Sequence, residues 1–507
     1  MCRLLTAACL LPAVARATPR ASDPPRAEKR IRATRTSAPV TIDGTLDEPD
    51  WARAPLATDF VQSEPRTGEP ATEATEVRVL FDGSALYIGA VLHDPDAANL
   101  VVADIKKDFK EDDQDDFEVL LDTFHDRRNG YVFLTNAAGA RADRQMANEG
   151  REVNTSWDGV WTVKTRRFAD KWIVEMAIPF KTLRYRLGDV DGWGINFARR
   201  IRHRNETTYW APIPRAFTIT RASLAGTLEG VEPSGGSRDL RVKPYLLARD
   251  VRDLPVAPAR TARATLAEAG GLDVTYGVTP KLALNVALNP DFAQVEADEQ
   301  QVNLTQFSQF FPEKREFFLE NSGIFYVGDA ARNNRVNLAP TPDEDMLLFF
   351  SRRIGLSADG RSVPIPGGVR LTGSAAGLTI GALGMQSQAT PTAPANRYGA
   401  LRLRRNLRPG SDVGLIMLDR EGLGARGQNS WNRVAGVDAT FRLPGVWDWS
   451  SYAVGTRTAG KSEGQYAWRS RINHEGNFLH LKAGALQVGR AFRTIWATSV
   501  GPTRASG

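Results

Sequence analysis

The chain has 507 residues, of which 42% are hydrophobic and 24% charged, and its formal net charge is +6. No run of about 18 apolar residues occurs, which excludes a transmembrane helix, while the length predicts two or three domains. Part of the positive charge is concentrated in residues 20–35, and no basic stripe with stacking aromatics occurs. The composition therefore excludes nucleic acid as a partner.

Residues 1–17 have the parts of a secretory signal peptide. Arg3 precedes an apolar core, and an A-x-A cleavage sequence ends at Ala17. Both cysteines, Cys2 and Cys9, lie within this segment, so cleavage would leave an exported chain without cysteine. That excludes disulfides, thiolate metal sites and a cysteine nucleophile.

The region behind the signal peptide predicts a linker and then a β-domain. Residues 18–38 are rich in Pro, Arg and Ala without periodicity, which predicts a disordered linker. Short alternating runs, separated by Gly, Asp and Asn, recur between residues 77 and 202. This spacing predicts an antiparallel β-sandwich over residues 39–232, and a Ser/Gly-rich stretch predicts a second linker at 233–240.

Beyond this linker the alternation sharpens into hairpins with one apolar and one polar face. Leu401 and Leu403, for example, oppose Arg402 and Arg404. Strands of about ten residues with such faces are typical of outer-membrane β-barrels, which predicts a barrel over residues 241–507. The same alternation fits a second soluble β-sandwich with one solvated face, and this alternative stays open.

Further features bear on the predicted barrel. Four aromatic residues would serve as interfacial girdle residues: Trp447, Trp449, Tyr466 and Trp468. The alternating pattern is lost from residue 491 onward, which predicts that the barrel is incomplete at its C-terminus.

Residues 285–356 fit neither a strand nor a helix period throughout. Their centre reads NPDFAQVEADEQQVNLTQFSQFFPEKREFFLENSGIFY, with phenylalanines interleaved among charged residues. One interpretation is a packed connector whose charges pair with one another. The other is a catalytic loop, in which Glu313, Glu316 and Glu320 fall at helical spacing and could supply the carboxylates of a glycosidase.

Two segments resemble known families. The run VTIDGTLDEPDWARAP from Val40 is similar to the opening of family 9 carbohydrate-binding modules, with its IDG turn and D-E-x-x-W step. The 285–356 segment resembles the signature of a family of bacterial outer-membrane β-barrel proteins of unknown activity, whose members carry an N-terminal domain similar to those modules. The resemblance implies an all-β protein with a jelly-roll-like sandwich followed by an outer-membrane β-barrel.

The densest carboxylates lie in the run KKDFKEDDQDDFEVLLD at Lys106–Asp122. Oxygen atoms packed this closely before a strand suit calcium, with Asp112, Asp113, Asp115 and Asp116 as candidate ligands. A solvated acidic loop explains the same run. Family 9 modules often bind calcium structurally, so the resemblance implies this cofactor here.

Sugar recognition needs aromatic faces together with planar polar groups that bind hydroxyls. The candidate carbohydrate-binding residues combine the two types: Trp157, Trp161, Asn136, Arg141, Asp143 and Arg144. Core packing is the alternative for the two tryptophans, since most tryptophans of a sandwich are buried.

These observations favour carbohydrate binding by an exported protein that is anchored in the outer membrane, with a role in glycan capture or carbohydrate catabolism. The expected partners are a saccharide and outer-membrane lipid, and the sandwich would face the periplasm or the cell surface. Two alternatives stay open: a membrane-associated hydrolase acting on O-glycosyl bonds, and a transport or structural barrel with a periplasmic sandwich.

Overall fold

A computed structural model describes residues 28–492 with internal gaps, so the predicted signal peptide lies outside the described residues. The gaps are residues 151, 156, 186–191, 216, 234–239, 254–262, 280, 291–312, 314, 326, 328–347, 357–362, 392, 409, 426, 428–429, 445–446, 463 and 476–478. Most of the predicted second linker falls in one of them. Among the described residues, no helix combines the length and the apolar character needed to cross a membrane.

The described residues are almost entirely β-structure. The strands of the first half are β1 (Arg30–Arg32), β2 (Thr34–Arg35), β3 (Val61–Glu64), β4 (Thr75–Phe81), β5 (Ala85–His93), β6 (Asp116–Asp122), β7 (Gly130–Asn136), β8 (Arg141–Ala147), β9 (Glu152–Asn154), β10 (Thr162–Arg167), β11 (Lys171–Pro179), β12 (Trp193–Ile201), β13 (Glu206–Tyr209) and β14 (Gly226–Glu229). The strands of the second half are β15 (Leu240–Asp253), β16 (Arg263–Thr279), β17 (Leu282–Leu288), β18 (Gly367–Ala375), β19 (Leu378–Ser387), β20 (Ala395–Arg408), β21 (Ser411–Leu423), β22 (Trp431–Leu443), β23 (Trp447–Thr458), β24 (Tyr466–Glu475) and β25 (His480–Val488). The α-helices are α1 (Pro49–Arg53) and α2 (Glu316–Leu319).

The strands of the first half form two sheets packed face to face. One runs in the order β1-β14-β12-β6-β7-β8-β9, with β13 beside β12 and β3 beside β13, and the other runs in the order β10-β11-β5-β4-β2. Their facing side chains form a core that includes Phe117, Phe133 and Trp172, each 0% exposed. This confirms the predicted β-sandwich.

The prediction of a disordered linker at 18–38 is wrong for its last part. Strand β1 pairs with β14 and strand β2 pairs with β4, both in parallel, so this short segment joins the two sheets of the sandwich. Ile31 and Ala33 are 4% and 5% exposed and belong to the core between the sheets. Their alternation with arginines is too short to stand out from the basic run around them.

The strands of the second half form one antiparallel sheet, here called the barrel sheet, in which β15 to β25 pair in chain order. Within the described residues, β15 and β25 each pair with a single neighbour. A single antiparallel sheet whose strands pair in chain order agrees with the predicted outer-membrane barrel. The eleven strands lie in one sheet, so the described residues do not form the alternative second sandwich.

The two faces of the barrel sheet are inverted relative to a water-soluble sheet. Arg402 is 0% exposed and donates a 2.7 Å hydrogen bond from Nη2 to Asp438 Oδ2. On the opposite face, Val437 and Met417 are 56% and 46% exposed. A sheet in water conceals its apolar side, whereas strands facing lipid turn it outward around a polar interior. The outer face therefore suits an apolar environment.

Aromatic side chains lie near both ends of this outer face. Trp447 begins β23 at one end, while Tyr466 begins β24 at the other and pairs with Gly455. Trp447 and Gly455 are separated along β23 by a strand length of about 26 Å at 3.3 Å per residue. Outer-membrane barrels have an apolar band about 25 Å tall between two aromatic girdles. Barrel strands are tilted by about 35–45°, so this length corresponds to a height of about 20 Å, slightly less than that of the apolar band.

The described part of the 285–356 segment packs against the buried face of the barrel sheet. Phe317 and Phe325 belong to one hydrophobic cluster with the inward residues of several barrel strands. Asn321 Nδ2 donates a 3.3 Å hydrogen bond to Thr372 Oγ1 near the end of β18. The described part of the segment is therefore a packed connector, in agreement with the first of the two interpretations.

A buried glutamate gives the sandwich a testable pH dependence. Glu175 Oε2 accepts hydrogen bonds from the backbone N–H groups of Asp43 and Gly44, but burial outweighs them and raises the pKa of Glu175 from 4.5 to about 7. The protonated Glu175 contributes its full stability below pH 4.5, and this contribution is lost as the pH rises through about 7. Above that pH the buried carboxylate costs on the order of 3 kcal/mol in the free energy of unfolding.

We expect Glu175→Gln to stabilise the chain relative to wild type at pH 8 by about 1–3 kcal/mol more than it does at pH 5, because the amide cannot ionise. Urea unfolding of the detergent-solubilised protein at the two pH values measures this difference. Glu69→Gln is the matched control, because the side chain of Glu69 is 55% exposed. If Glu175→Gln changes the free energy of unfolding equally at both pH values, the raised pKa of Glu175 is contradicted.

Candidate functional site

The outer face of the larger sandwich sheet carries a group of charged side chains. Along β6, Phe117, Val119 and Leu121 belong to the core between the sheets. Because successive residues of a strand point to opposite faces, Asp116 and Glu118 point outward. Two carboxylates thus stand on the face that is turned away from the sandwich core.

Strand pairing brings arginines to these carboxylates. The register of β6 with β12 places Arg200 directly opposite Asp116, with which it forms an ion pair. Arg200 Nη2 also lies 3.7 Å from Glu118 Oε1. On β8, Arg144 donates two hydrogen bonds to Glu111, one of them 2.7 Å from Nη1 to Oε1. We call these five residues the charged face.

The charged face is concealed beneath a solvent-exposed rim. The side chains of Arg200 and Glu118 are 10% and 9% exposed, whereas that of Asp112, whose Oδ1 lies 3.7 Å from Arg200 Nη2, is 84% exposed. Phe109 and Tyr209, each 2% exposed, pack in a hydrophobic cluster on the same side of the sheet. A ligand would therefore approach Arg200 from the side of Asp112.

The pKa values of two carboxyl groups of this face shift in opposite directions. Burial raises the pKa of Asp116 well above its usual value, although Arg200 opposes the shift. Burial acts in the same direction on Glu111, but the hydrogen bond from Arg144 prevails and lowers its pKa. The face thus offers planar guanidinium donors beside carboxylate acceptors, a combination that can bind neighbouring hydroxyl groups of a sugar.

The two candidate tryptophans lie on the core side of the sheet. Trp161 is 2% exposed, and its ring centroid lies 5.3 Å from that of Phe133. Trp157 is partly buried and packs on Tyr131 at 4.9 Å and on Phe133 at 6.0 Å. Both rings pack against aromatic residues of the core in tilted or edge-to-face geometry, which corresponds to the packing alternative.

Three of the polar candidates have partners within the sandwich. Asn136 Nδ2 donates a 2.7 Å hydrogen bond to a backbone carbonyl, and Arg141 Nη1 donates a 2.8 Å bond to the carbonyl of Trp161. Asp143 Oδ2 accepts a 2.6 Å bond from the backbone N–H of Gly159. The structure therefore gives these side chains roles in holding loops and strands together.

The four predicted calcium ligands do not converge on one point, and this prediction is corrected. Asp112 and Asp113 are exposed on a short 3-10 turn, while Asp116 is paired with Arg200. Asp115 has both carboxylate oxygens occupied by backbone N–H groups. Residues that alternate along a strand face opposite sides, so closeness in sequence does not gather their oxygens. Calcium needs six to eight oxygen ligands, which this set does not offer.

Asp115 lies instead beside Asp94 and His203, with one potential ligand atom of each within 4.8 Å of the others. Asp94 Oδ2 and both ring nitrogens of His203 are buried without a hydrogen-bond partner among the described residues. However, the guanidinium of Arg199 lies 3.7 Å from Asp94 Oδ2 and already supplies positive charge there. Because that charge would repel a cation, we assign no metal to this cluster.

The candidate catalytic glutamates are held by arginines. Arg315 donates to both carboxylate oxygens of Glu313, at 2.8 and 2.7 Å, and Arg184 Nη2 lies 2.6 Å from Glu320 Oε1. Burial opposes ionisation of both glutamates, but the arginines prevail and lower each pKa. A glycosidase acid needs a raised pKa, so these two residues do not suit that role. The side chain of Glu316 lies outside the described part of the structure.

The sequence analysis did not identify most of the charged face. It named Arg144 as a sugar ligand and Asp116 as a metal ligand, and it left Glu118 and Arg200 without a role in binding. The sequence signal is partial, since Glu118 stands between the apolar Phe117 and Val119, whereas Arg199 and Arg200 are adjacent and show no alternation. Only the pairing of β6 with β12 shows that the two sets of charges meet.

Two family models match parts of the chain. Residues 42–208 match the model described as carbohydrate family 9 binding domain-like, and residues 255–365 match a domain of unknown function, DUF5916. No curated protein matches the chain.

Solved structures of two kinds resemble the chain. A family 9 carbohydrate-binding module from Caldicellulosiruptor kristjanssonii in complex with cellotriose is 20% identical, with 40% of this chain and 95% of that chain covered and a TM-score of 0.30. Its complex with glucose gives the same identity and TM-score, with 40% and 97% covered. OccK11 from Pseudomonas aeruginosa is 11% identical, with 71% and 72% covered and a TM-score of 0.23. TM-scores this low do not define a common fold.

The structural role of Asp143 can be separated from a role in binding. Its Oδ1 and Oδ2 accept hydrogen bonds from Trp161 Nε1 and Gly159 N, and an asparagine would leave one of these donors without an acceptor. We expect Asp143→Asn to lower the free energy of unfolding by about 1–3 kcal/mol and to leave the saccharide affinity of the folded protein unchanged.

Chemical denaturation and calorimetric titration of the same preparation measure the two quantities. Asp113→Asn, at an exposed position, is the control for the loss of one surface charge. A variant with normal stability and weakened saccharide binding would restore Asp143 as a ligand.

Proposed function

We propose that this chain is an exported carbohydrate-binding protein whose sandwich binds a saccharide and whose barrel sheet anchors it in the outer membrane. The observation that carries the proposal is the match of residues 42–208 to the carbohydrate family 9 binding domain-like model, within which the whole charged face lies. The inverted faces of the barrel sheet support the membrane anchor. The role we infer is glycan capture ahead of carbohydrate catabolism.

Hydroxyl recognition accounts for the composition of the charged face. A pyranose presents neighbouring hydroxyls that both donate and accept hydrogen bonds. The guanidiniums of Arg144 and Arg200 donate in fixed planar directions, and the carboxylate of Glu118 accepts. Hydrogen bonds to charged groups are among the stronger ones in proteins, so each such contact would contribute about 1.5–3 kcal/mol.

The hydrolase alternative receives no support from the signature glutamates. Glu313 and Glu320 are ion-paired and have lowered pKa values, which keeps them ionised near neutral pH. A glycosidase needs one carboxyl that stays protonated to donate to the leaving oxygen. We therefore place the function in binding.

Isothermal titration of the full detergent-solubilised chain with mono- and oligosaccharides tests the proposal. We expect saturable binding, and we expect Glu118→Gln to weaken it by about tenfold or more, because the variant loses a charged acceptor. Arg144→Lys should also weaken binding, since lysine keeps the charge but loses the planar fork.

Glu69→Gln, at an exposed site outside the charged face, is the control and should bind as wild type. Circular dichroism melting of every variant separates lost binding from lost folding. If no saccharide of the panel binds the folded wild type, carbohydrate binding is refuted. If saccharides bind with equal affinity to all variants, the site lies away from the charged face.

A further inference from the structure

The connections at the two ends of the barrel sheet differ in length. At one end, the hairpins β16–β17, β18–β19, β20–β21, β22–β23 and β24–β25 are joined by two to four residues. At the other end, the connections are seven to 78 residues long, and the longest, between β17 and β18, contains most of the 285–356 segment. We call the first of these the short-turn end.

The sandwich packs on the short-turn end. Asp412, the second residue of β21, pairs with Arg128 of the β6–β7 turn, and their side chains are 3% and 4% exposed. Arg442, one residue before the end of β22, donates a 3.0 Å hydrogen bond from Nη2 to Glu149 Oε2. These contacts involve two separate short turns of the barrel sheet.

A third short turn makes a further contact, because Lys281 Nζ lies 5.0 Å from the ring centroid of Phe124 in the sandwich. The chain path agrees with this arrangement, since β15 starts at the same end, directly after the sandwich and its linker. Contacts at three turns define a docking surface, and a flexible tether alone would not produce them.

The 285–356 segment also meets the sandwich. Asn321 N donates a 2.9 Å hydrogen bond to Gln145 Oε1, and Asn154 Nδ2 donates a 2.8 Å bond to the carbonyl of Leu319. The segment leaves the barrel sheet at the end of the long connections, yet it reaches the sandwich at the short-turn end. Its described residues 315–325 therefore contact both the buried face of the barrel sheet and the sandwich.

Outer-membrane barrels have short turns on the periplasmic side and long loops on the outside. We infer that the sandwich is docked on the periplasmic mouth of the barrel and that its charged face is presented to periplasmic saccharides. This inference rests on the proposed membrane anchor. Strand β6 leads from Asp122 on the docking side to Glu118 and Asp116, which lie about 13 and 20 Å along it, so these two carboxylates point away from the docking side.

Cysteine labelling of intact cells tests the orientation. The two native cysteines, Cys2 and Cys9, lie in the predicted signal peptide, so the exported chain should show no background labelling of native thiols. Ala98→Cys places a thiol at an exposed site of the sandwich, and Ser462→Cys places one in the β23–β24 connection at the opposite end of the barrel sheet. The probe is a membrane-impermeant maleimide.

We expect Ser462→Cys to react in intact cells and Ala98→Cys to react only after the outer membrane is permeabilised, with at least a tenfold difference in labelling. Labelling of Ala98→Cys, but not of Ser462→Cys, in intact cells would overturn the orientation.

Other outcomes test the premise of the membrane anchor. If neither cysteine reacts in intact cells and the protein fractionates away from the outer membrane, the anchor fails, and the inferred orientation fails with it. Saccharide titration of the same preparations reports on carbohydrate binding separately, so failure of the anchor and failure of binding remain distinguishable.

Discussion

A charge that folding removes from water needs an opposite charge beside it, and this chain meets that constraint repeatedly with arginine–carboxylate pairs. Arg402 and Asp438 form such a pair on the concealed face of the barrel sheet, and Arg128 and Asp412 form one between sandwich and barrel. In both pairs the two side chains are less than a tenth exposed. Each pair joins separate segments of the chain, so the arrangement of these segments depends on the pairing of charges.

The same constraint separates supporting residues from residues that can act on a ligand. Glu313 is enclosed by Arg315 and Ser351, and its carboxylate is fully used in holding the connector. Glu118 lies 3.7 Å from Arg200, which is also 3.7 Å from the exposed carboxylate of Asp112 at the rim. A carboxylate beside that rim is within reach of a ligand, whereas the carboxylate of Glu313 is used in holding the connector together.

Docking holds the sandwich in a fixed position on the barrel sheet, whereas a domain joined only by a flexible linker would move freely. Glu149 accepts hydrogen bonds from Ser223 within the sandwich and from Arg442 of the barrel sheet, so one buried carboxylate joins both parts. Burial alone would raise its pKa, but Arg221 and Arg442 prevail and lower it, which keeps the carboxylate charged near neutral pH. A saccharide captured by the sandwich would therefore be held at a defined position relative to the barrel mouth.

Sequence alone determined the class of each region, because alternation of apolar and polar residues is a local property. It predicted the sandwich strands and the two faces of the barrel strands, and Arg402 and Val437 lie on opposite faces as expected. It also offered the packed connector as one reading of the 285–356 segment. From the sequence, Trp161 can either pack in the core or bind a sugar, because a single position does not show which side of a sheet its ring occupies.

Tertiary structure alone decided which residues meet. Ile31 joins the core because β1 pairs with β14, a partner almost two hundred residues away, and no local pattern encodes such a pairing. The acidic run before β6 is continuous in the sequence, but its members have different partners. Asp116 pairs with Arg200 on the outer face, while Asp115 accepts a hydrogen bond from the backbone N–H of Val101. Arg200 reaches Asp116 only through the register of β6 with β12. Local periodicity specifies the faces of strands, and long-range pairing specifies their neighbours, so the site could be found only in the folded chain.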